Sequence, residues 1–138
     1  MESYSHKVQY YETDQMQIAH HSNYIRWFEE ARTYLMDEIG FGYHQMEEEG
    51  ILIPVLGVNA EYKTMTRFGE TVFIEAAITK FTGVKLIIEY TVRDKDTQAI
   101  RAVGATKHAF LDKETYRPIS LKRKHKELFD LFDGLLKE

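Results

Sequence analysis

Ser22-Asn23-Tyr24-Ile25-Arg26-Trp27-Phe28-Glu29-Glu30-Ala31-Arg32-Thr33-Tyr34-Leu35-Met36-Asp37-Glu38-Ile39-Gly40 is the stretch on which the fold turns. Tyr24, Trp27, Phe28, Ala31, Leu35 and Ile39 return every three or four positions, with Arg26, Glu29, Glu30 and Arg32 between them. That period lays one apolar stripe along a long helix. Ser22 or Asn23 is expected to cap its start and Gly40 to stop it. The stripe carries large aromatic rings, so the surface it covers is expected to be a broad sheet.

Upstream, Tyr4 to Tyr11 reads as a short strand running into a polar turn, Glu12-Thr13-Asp14-Gln15, and Met16 to His21 has no clean period. Downstream, Tyr43 to Glu49 reads as a short helix ending at Gly50, and Ile51 to Thr66 as a long strand bent near Gly57. Thr71 to Phe81 places Val72, Ile74, Ala76 and Ile78 on one face. In Val84 to Arg93 the residues Val84, Leu86, Ile88, Tyr90 and Val92 oppose Lys85, Ile87, Glu89, Thr91 and Arg93. After the turn Asp94-Lys95-Asp96-Thr97, Ala99 to Leu111 returns as a matching strand. Turns this short make antiparallel pairs and cannot make parallel crossovers. Past Pro118, Leu121 to Phe132 reads as a terminal helix. The expectation is an α+β fold, one long helix packed on a strongly curved antiparallel sheet, with residues 1–138 forming one domain.

The chain contains no cysteine, which excludes a disulfide framework, a thiolate nucleophile and a cysteine-ligated zinc site. The cytoplasm is the expected location. No apolar run is long enough for a membrane helix, and Met1-Glu2-Ser3-Tyr4 does not read as a signal peptide. A net charge of −4 argues against a general nucleic-acid binder, though a local basic patch could still hold a phosphate-bearing small ligand.

Chemistry is expected between Tyr10 and Tyr24. Asp14 lies in a loop shortly before the long helix begins. A helix start offers unpaired N–H groups and the positive end of a dipole, which suit a developing oxyanion. A nearby carboxylate can activate water or attack a carbonyl. Loop aspartates before helices are common, so spacing alone does not single Asp14 out.

The wording of the segment does more. Thr13-Asp14, Ile18, His21, Asn23-Tyr24 and Trp27-Phe28-Glu29-Glu30-Ala31-Arg32 closely resemble the signature of the 4-hydroxybenzoyl-CoA thioesterase family of hotdog proteins, in its bacterial acyl-CoA thioesterase branch. The likeness continues more loosely through Glu61-Tyr62, Arg67-Phe68-Gly69-Glu70 and the later strands to about Pro118. It implies a hotdog fold, hydrolysis of an acyl-CoA to free acid and CoA, no cofactor and no metal, and a homodimer or homotetramer with active sites at the interface. Asp14 falls at the family's catalytic acid, and His21 at the helix start whose backbone N–H polarises the thioester carbonyl. The acyl group is expected between helix and sheet, and CoA along the surface near basic residues. Two positions depart from the pattern: Gln17 replaces a usual glycine in the loop, and Met65 a common proline, read here as a tolerated strand variation.

Other residues are weighed against blander roles. Asn23 is a substrate candidate but also a cap, and Tyr24 a substrate candidate that opens the core stripe. Lys85 could reach a CoA phosphate or be an ordinary exposed lysine. Glu29 and Glu30 sit early in the helix, where carboxylates favour the dipole, and a solvated or interface role is expected of them. Lys122-Arg123-Lys124-His125-Lys126 could bind the nucleotide end of CoA but is expected to be a solvated charge run. His20 and His21, as chain neighbours, are expected to point apart, against a metal site. The rival functions are an acyl-ACP thioesterase and a hotdog protein that binds acyl-CoA without cleaving it.

Overall fold

The computed structural model describes residues 3–136; Met1 and Glu2, the start of the stretch read as no signal peptide, lie outside them. In chain order the elements are β1 (Tyr4–Lys7), a 3-10 turn (Tyr10–Glu12), α1 (Ser22–Glu38), α2 (Tyr43–Glu49), β2 (Ile51–Leu52), β3 (Val55–Tyr62), β4 (Thr71–Phe81), β5 (Lys85–Asp94), β6 (Ile100–Ala109), β7 (Leu111–Asp112), α3 (Leu121–Lys124) and α4 (Lys126–Leu136). Five strands form one antiparallel sheet in the order β1-β4-β5-β6-β3, and β2 pairs with β7 separately.

The alternation read in β4 and β5 is the burial pattern observed, except that Val84 stands exposed ahead of β5 and Ala76 is only partly buried. Val72 and Ile74 face inward from β4, and Leu86, Ile88, Tyr90 and Val92 from β5, all buried. Trp27, Phe28, Ala31 and Leu35 of α1 join them in the core. Each large side chain there contributes about 1.5–3 kcal/mol on burial. Phe28 lies flat on Tyr90, with ring centroids 4.5 Å apart and planes 9° off parallel. Gly104 in β6 permits this approach: a Cβ there would sit 2.5 Å from the Phe28 ring and 2.5 Å from the Asn59 carbonyl oxygen. Register shifts at Val55/Gly57, Ile78/Lys80 and Val92/Arg93 add the local twist that rolls the sheet around α1. This is the hotdog arrangement, with helix α1 as the filling.

Several boundaries differ from the reading of the sequence. The first strand stops at Lys7, because the Glu12 carboxylate accepts the Gln9 N–H and closes a tight turn. Ile51 to Thr66 is not one strand: Pro54 has no N–H for a ladder, so β2 ends before it and pairs with β7 instead. The expected bend at Gly57 is the register shift between Val55 and Gly57. Ala99 to Leu111 splits at the fully buried Phe110. The terminal helix breaks at His125, and Lys122 and Lys126 lie over the Phe129 ring at 6.0 and 5.7 Å. Among the described residues no helix is long and apolar enough to cross a membrane.

Candidate active site

Asp14 begins a tight hairpin loop. Its N–H donates to the Ile18 carbonyl at 3.0 Å, and its own carbonyl accepts the Gln17 N–H at 2.9 Å. Its Oδ1 accepts the Met16 N–H at 2.8 Å, a side-chain bond that aspartate makes readily in turns. Gln17 has a positive φ (65). That places it in the left-handed region, which glycine enters most easily. Gln17 is exposed, outside the lining of the cleft described below.

The loop is fastened to the sheet side. Thr13 bridges Ala19, Ile18 bridges Arg67, and the Ala19 N–H donates to the Thr66 carbonyl at 2.7 Å. Arg101 in turn holds this segment. Its Nη1 donates to the Met65 carbonyl at 2.8 Å, and its Nη2 reaches Asp94 at 2.7 Å and Glu70 at 3.3 Å. The Arg101 hydrogen bond, helped by the Thr97 N–H, brings the Asp94 carboxyl from 3.8 down to about 2.

The start of α1 lies next to this loop. The cap is His21, not Ser22 or Asn23, and the His20 ring accepts the Ser22 N–H at 3.2 Å. The first turn of α1 carries no acidic side chain. Glu29 and Glu30 lie beyond that turn, and Glu30 accepts the Tyr4 hydroxyl at 2.8 Å. Among the described residues the His21 N–H has no acceptor, whereas the Asn23 and Tyr24 amides are satisfied by the His20 and His21 carbonyls. His20 and His21 do not point apart: their ring centroids lie 4.1 Å from each other, because the backbone here turns into the helix rather than extending.

Glu12, unremarked in the sequence, joins the loop to the helix. Its carbonyl accepts the His20 N–H and the Asn23 carboxamide, each at 2.8 Å. Its carboxylate, 4% exposed, accepts Trp27 Nε1 and the Gln9 N–H and meets His6 Nε2, all at 2.8 Å. Burial pushes the Glu12 carboxyl upward, but these three partners outweigh it and leave its pKa below the ordinary value. The sequence signal that could have exposed this role is the acid two positions before Asp14, opposite the one tryptophan.

Between loop and helix start opens a cleft of about 680 Å³, lined in part by Asp14, His21, Tyr24, Tyr62, Met65 and Arg101. Tyr24 is both core and lining: it is buried, and its hydroxyl donates to Thr66 Oγ1 at 3.0 Å. Desolvation raises its pKa. Asn23 is held by Glu12 and does not line the cleft, and Lys85 stands at the start of β5, also outside the lining. Met65 belongs to a loop after β3, not to a strand, and is exposed in the cleft wall. Lys63 and Arg67 supply basic side chains to the lining, and Tyr62, Arg67 and Arg101 were not among the expected site residues. Within the chain Trp27 and Phe28, both 0% exposed, pack the space between α1 and the sheet, and the open volume is the cleft beside the helix start.

A carboxylate, a helix N-terminus and basic side chains around one cleft suit the hydrolysis of an activated, anionic ester. Known proteins agree. The sequence pattern of the thioesterase-like superfamily matches residues 8–129. YneP of Bacillus subtilis, provisionally named an acyl-CoA thioesterase, is 36% identical over 118 residues, which is 85% of this chain and 84% of that protein. The acyl-CoA thioesterase YbgC of Helicobacter pylori is 23% identical over 133 residues, 90% of this chain and 96% of that one. The crystal structure of a DHNA-CoA thioesterase from Staphylococcus aureus superposes with a TM-score of 0.91 at 26% identity, covering 99% of this chain and 91% of its own. With the match running through the Asp14 loop, α1 and every strand of the sheet except β1, this chain belongs to the thioesterase-like superfamily.

Proposed function

We propose that residues 1–138 form one hotdog domain that hydrolyses acyl-CoA thioesters to free acid and CoA, with Asp14 as general base or nucleophile. As base, the carboxylate takes a proton from water while the water oxygen bonds to the carbonyl carbon. As nucleophile, it bonds to that carbon itself and water cleaves the resulting anhydride. In both routes the carbonyl oxygen gains charge, which the His21 N–H stabilises by donating a hydrogen bond, and the C–S bond breaks to release CoA thiolate. One observation carries this reading: the turn engages only Oδ1 of Asp14, in the same cleft as a helix start without acidic residues. An ordinary aspartate, with a pKa of ~3.9, is a weak base, so placement and exclusion of water supply its effect.

The active assembly is proposed to be a cytoplasmic homodimer or homotetramer. β3 is an edge strand, and Val55, Leu56, Val58 and Tyr62 on it are 47%, 66%, 44% and 46% exposed. A long edge of that character invites a second strand. A second copy paired there would shield the cleft at the Tyr62 end of β3. It would also bring a neighbouring Lys85 into consideration for the CoA phosphates, beside Lys63 and Arg67.

The test is thiol release from short, long and aromatic acyl-CoAs. The protein has no cysteine, so a thiol reagent reports liberated CoA alone. Turnover of at least one thioester is expected. Binding without release would replace hydrolysis with a carrier role, and cleavage of acyl-ACP alone would replace the substrate.

A further inference from the structure

We propose that the cleft between α2 and the β2–β7 pair is a second binding site, one that takes a small carboxylate with an apolar body. This cleft, about 720 Å³, shares no lining residue with the Asp14 cleft, and its walls include Tyr43, Met46, Ile51, Ile53, Pro54 and Leu111. Tyr43 begins α2, which follows α1 in the chain, and its hydroxyl meets Arg32 on the middle of α1, away from the His21 cap. A ligand in one cleft therefore does not fill the other within the same chain.

The charge logic starts from Arg32. This residue is 8% exposed, and no carboxylate among the described residues lies within ion-pairing distance of its guanidinium. Its partners are two phenols: Nε donates to the Tyr43 hydroxyl at 3.4 Å and Nη1 to the Tyr90 hydroxyl at 3.2 Å. Burial works against the charge, yet the two tyrosines leave the guanidinium with a pKa above its ordinary value, so it stays a cation. A buried cation without a counter-charge is costly, and an anion near it recovers part of that cost.

The rest of the network supplies donors, not acceptors. The Tyr90 hydroxyl lies 2.7 Å from Thr106 Oγ1, which lies 2.8 Å from His108 Nε2. Arginine can only donate, so the economical direction runs from Arg32 through Tyr90 and Thr106 to His108 Nε2, leaving the histidine proton on Nδ1. That Nδ1 is buried without a well-formed hydrogen bond, against the backbone of Ile53 and Pro54 in the cleft wall. Burial, with Arg32 nearby, lowers His108 to about 4, so it adds no second charge at neutral pH. On the other branch, Tyr43 accepts from Arg32 and keeps its own O–H proton for a ligand at the cleft wall. Glu47 also lines the cleft, but it is exposed at the rim, 3.7 Å from Lys113. One polarised donor backed by an uncompensated cation, set in apolar walls, selects a carboxylate attached to a hydrocarbon.

The experiment is amide NMR of the intact chain titrated with octanoate and, separately, with octanol, a neutral ligand of matched length. Octanoate is expected to shift the amides of Tyr43, Met46, Ile53 and Leu111, and to bind at least about tenfold tighter than octanol. Tyr43→Phe, a half-exposed position that leaves the fold intact, is expected to weaken octanoate about tenfold and octanol hardly at all. Arg32→Gln, checked for folding by circular dichroism, is expected to abolish the preference for the acid. In Asp14→Asn the same amides should respond unchanged, which separates this site from the catalytic cleft. Equal binding of octanol, shifts confined to Asp14, His21 and Tyr62, or an unaffected Tyr43→Phe would each overturn the proposal. None of these results bears on thioester hydrolysis, and absence of thiol release from acyl-CoA would leave this site standing.

Discussion

Replacing Glu12 with alanine removes the acceptor that ties the Asp14 loop to α1. Three donors meet its carboxylate at 2.8 Å: the Gln9 amide, Trp27 Nε1 and His6 Nε2. Trp27 is 0% exposed, so its N–H would be left buried and unpaired. Breaking a buried, charged hydrogen-bond cluster by deleting one partner costs about 3–5 kcal/mol. At ~3–5 °C per kcal/mol for a domain of this size, the melting temperature should fall by roughly 10–20 °C. Glu12→Gln keeps an acceptor oxygen and should lose no more than about 2 kcal/mol. The sign with pH follows from the lowered Glu12 pKa. Its contribution is fully present above the unfolded value near 4.5 and is lost as pH falls through the lower folded value. Urea melts from pH 7 to pH 3 should therefore show wild type losing stability that Glu12→Gln does not lose. An alanine variant within about 1 kcal/mol of wild type would refute the reasoning, because the buried Trp27 N–H would then have found another acceptor.

Gly104→Ala should destabilise by about 2–3 kcal/mol in a denaturant melt. Its Cβ would meet the Asn59 carbonyl and the packed Phe28 ring at 2.5 Å. Arg101→Met should release the Met65 carbonyl and lower thioester turnover. It should also shrink the acid limb set by Asp94, stability that is present above 3.8 and lost as pH falls through about 2, leaving the part held by the Thr97 and Asp96 N–H groups. Gln17→Gly relieves a left-handed backbone but loosens the unfolded chain. Its stability should stay within about 1 kcal/mol of wild type with thiol release retained.

The fold was legible because both periods in the sequence are consistent with their burial. The α1 stripe and the alternation of Leu86, Ile88, Tyr90 and Val92 each point one way, and both face the core. Breaks at Pro54, Phe110 and His125 were less visible, since they depend on which strand or helix each segment finds as a partner. Asp14 and His21 were visible through the wording of their segment, and the structure sets both on one cleft. Tyr62 and Arg67 fell within the looser likeness without being marked as site residues, and nothing local marks Arg101: all three reach the cleft only when β3, β6 and the loop after β3 are brought against the helix start. Gln17, a substrate candidate from the sequence, holds a positive φ that glycine adopts more easily and lies outside the lining of the cleft.

The most direct measurement is kcat/KM for thiol release from the best acyl-CoA substrate, by wild type and Asp14→Asn in parallel. Asparagine preserves the side-chain oxygen that accepts the Met16 N–H, so the turn should survive while the base is lost. A fall of about a hundredfold or more, with an unchanged melting temperature, is the predicted result. Activity within about threefold of wild type would contradict the account and move the catalytic carboxylate elsewhere.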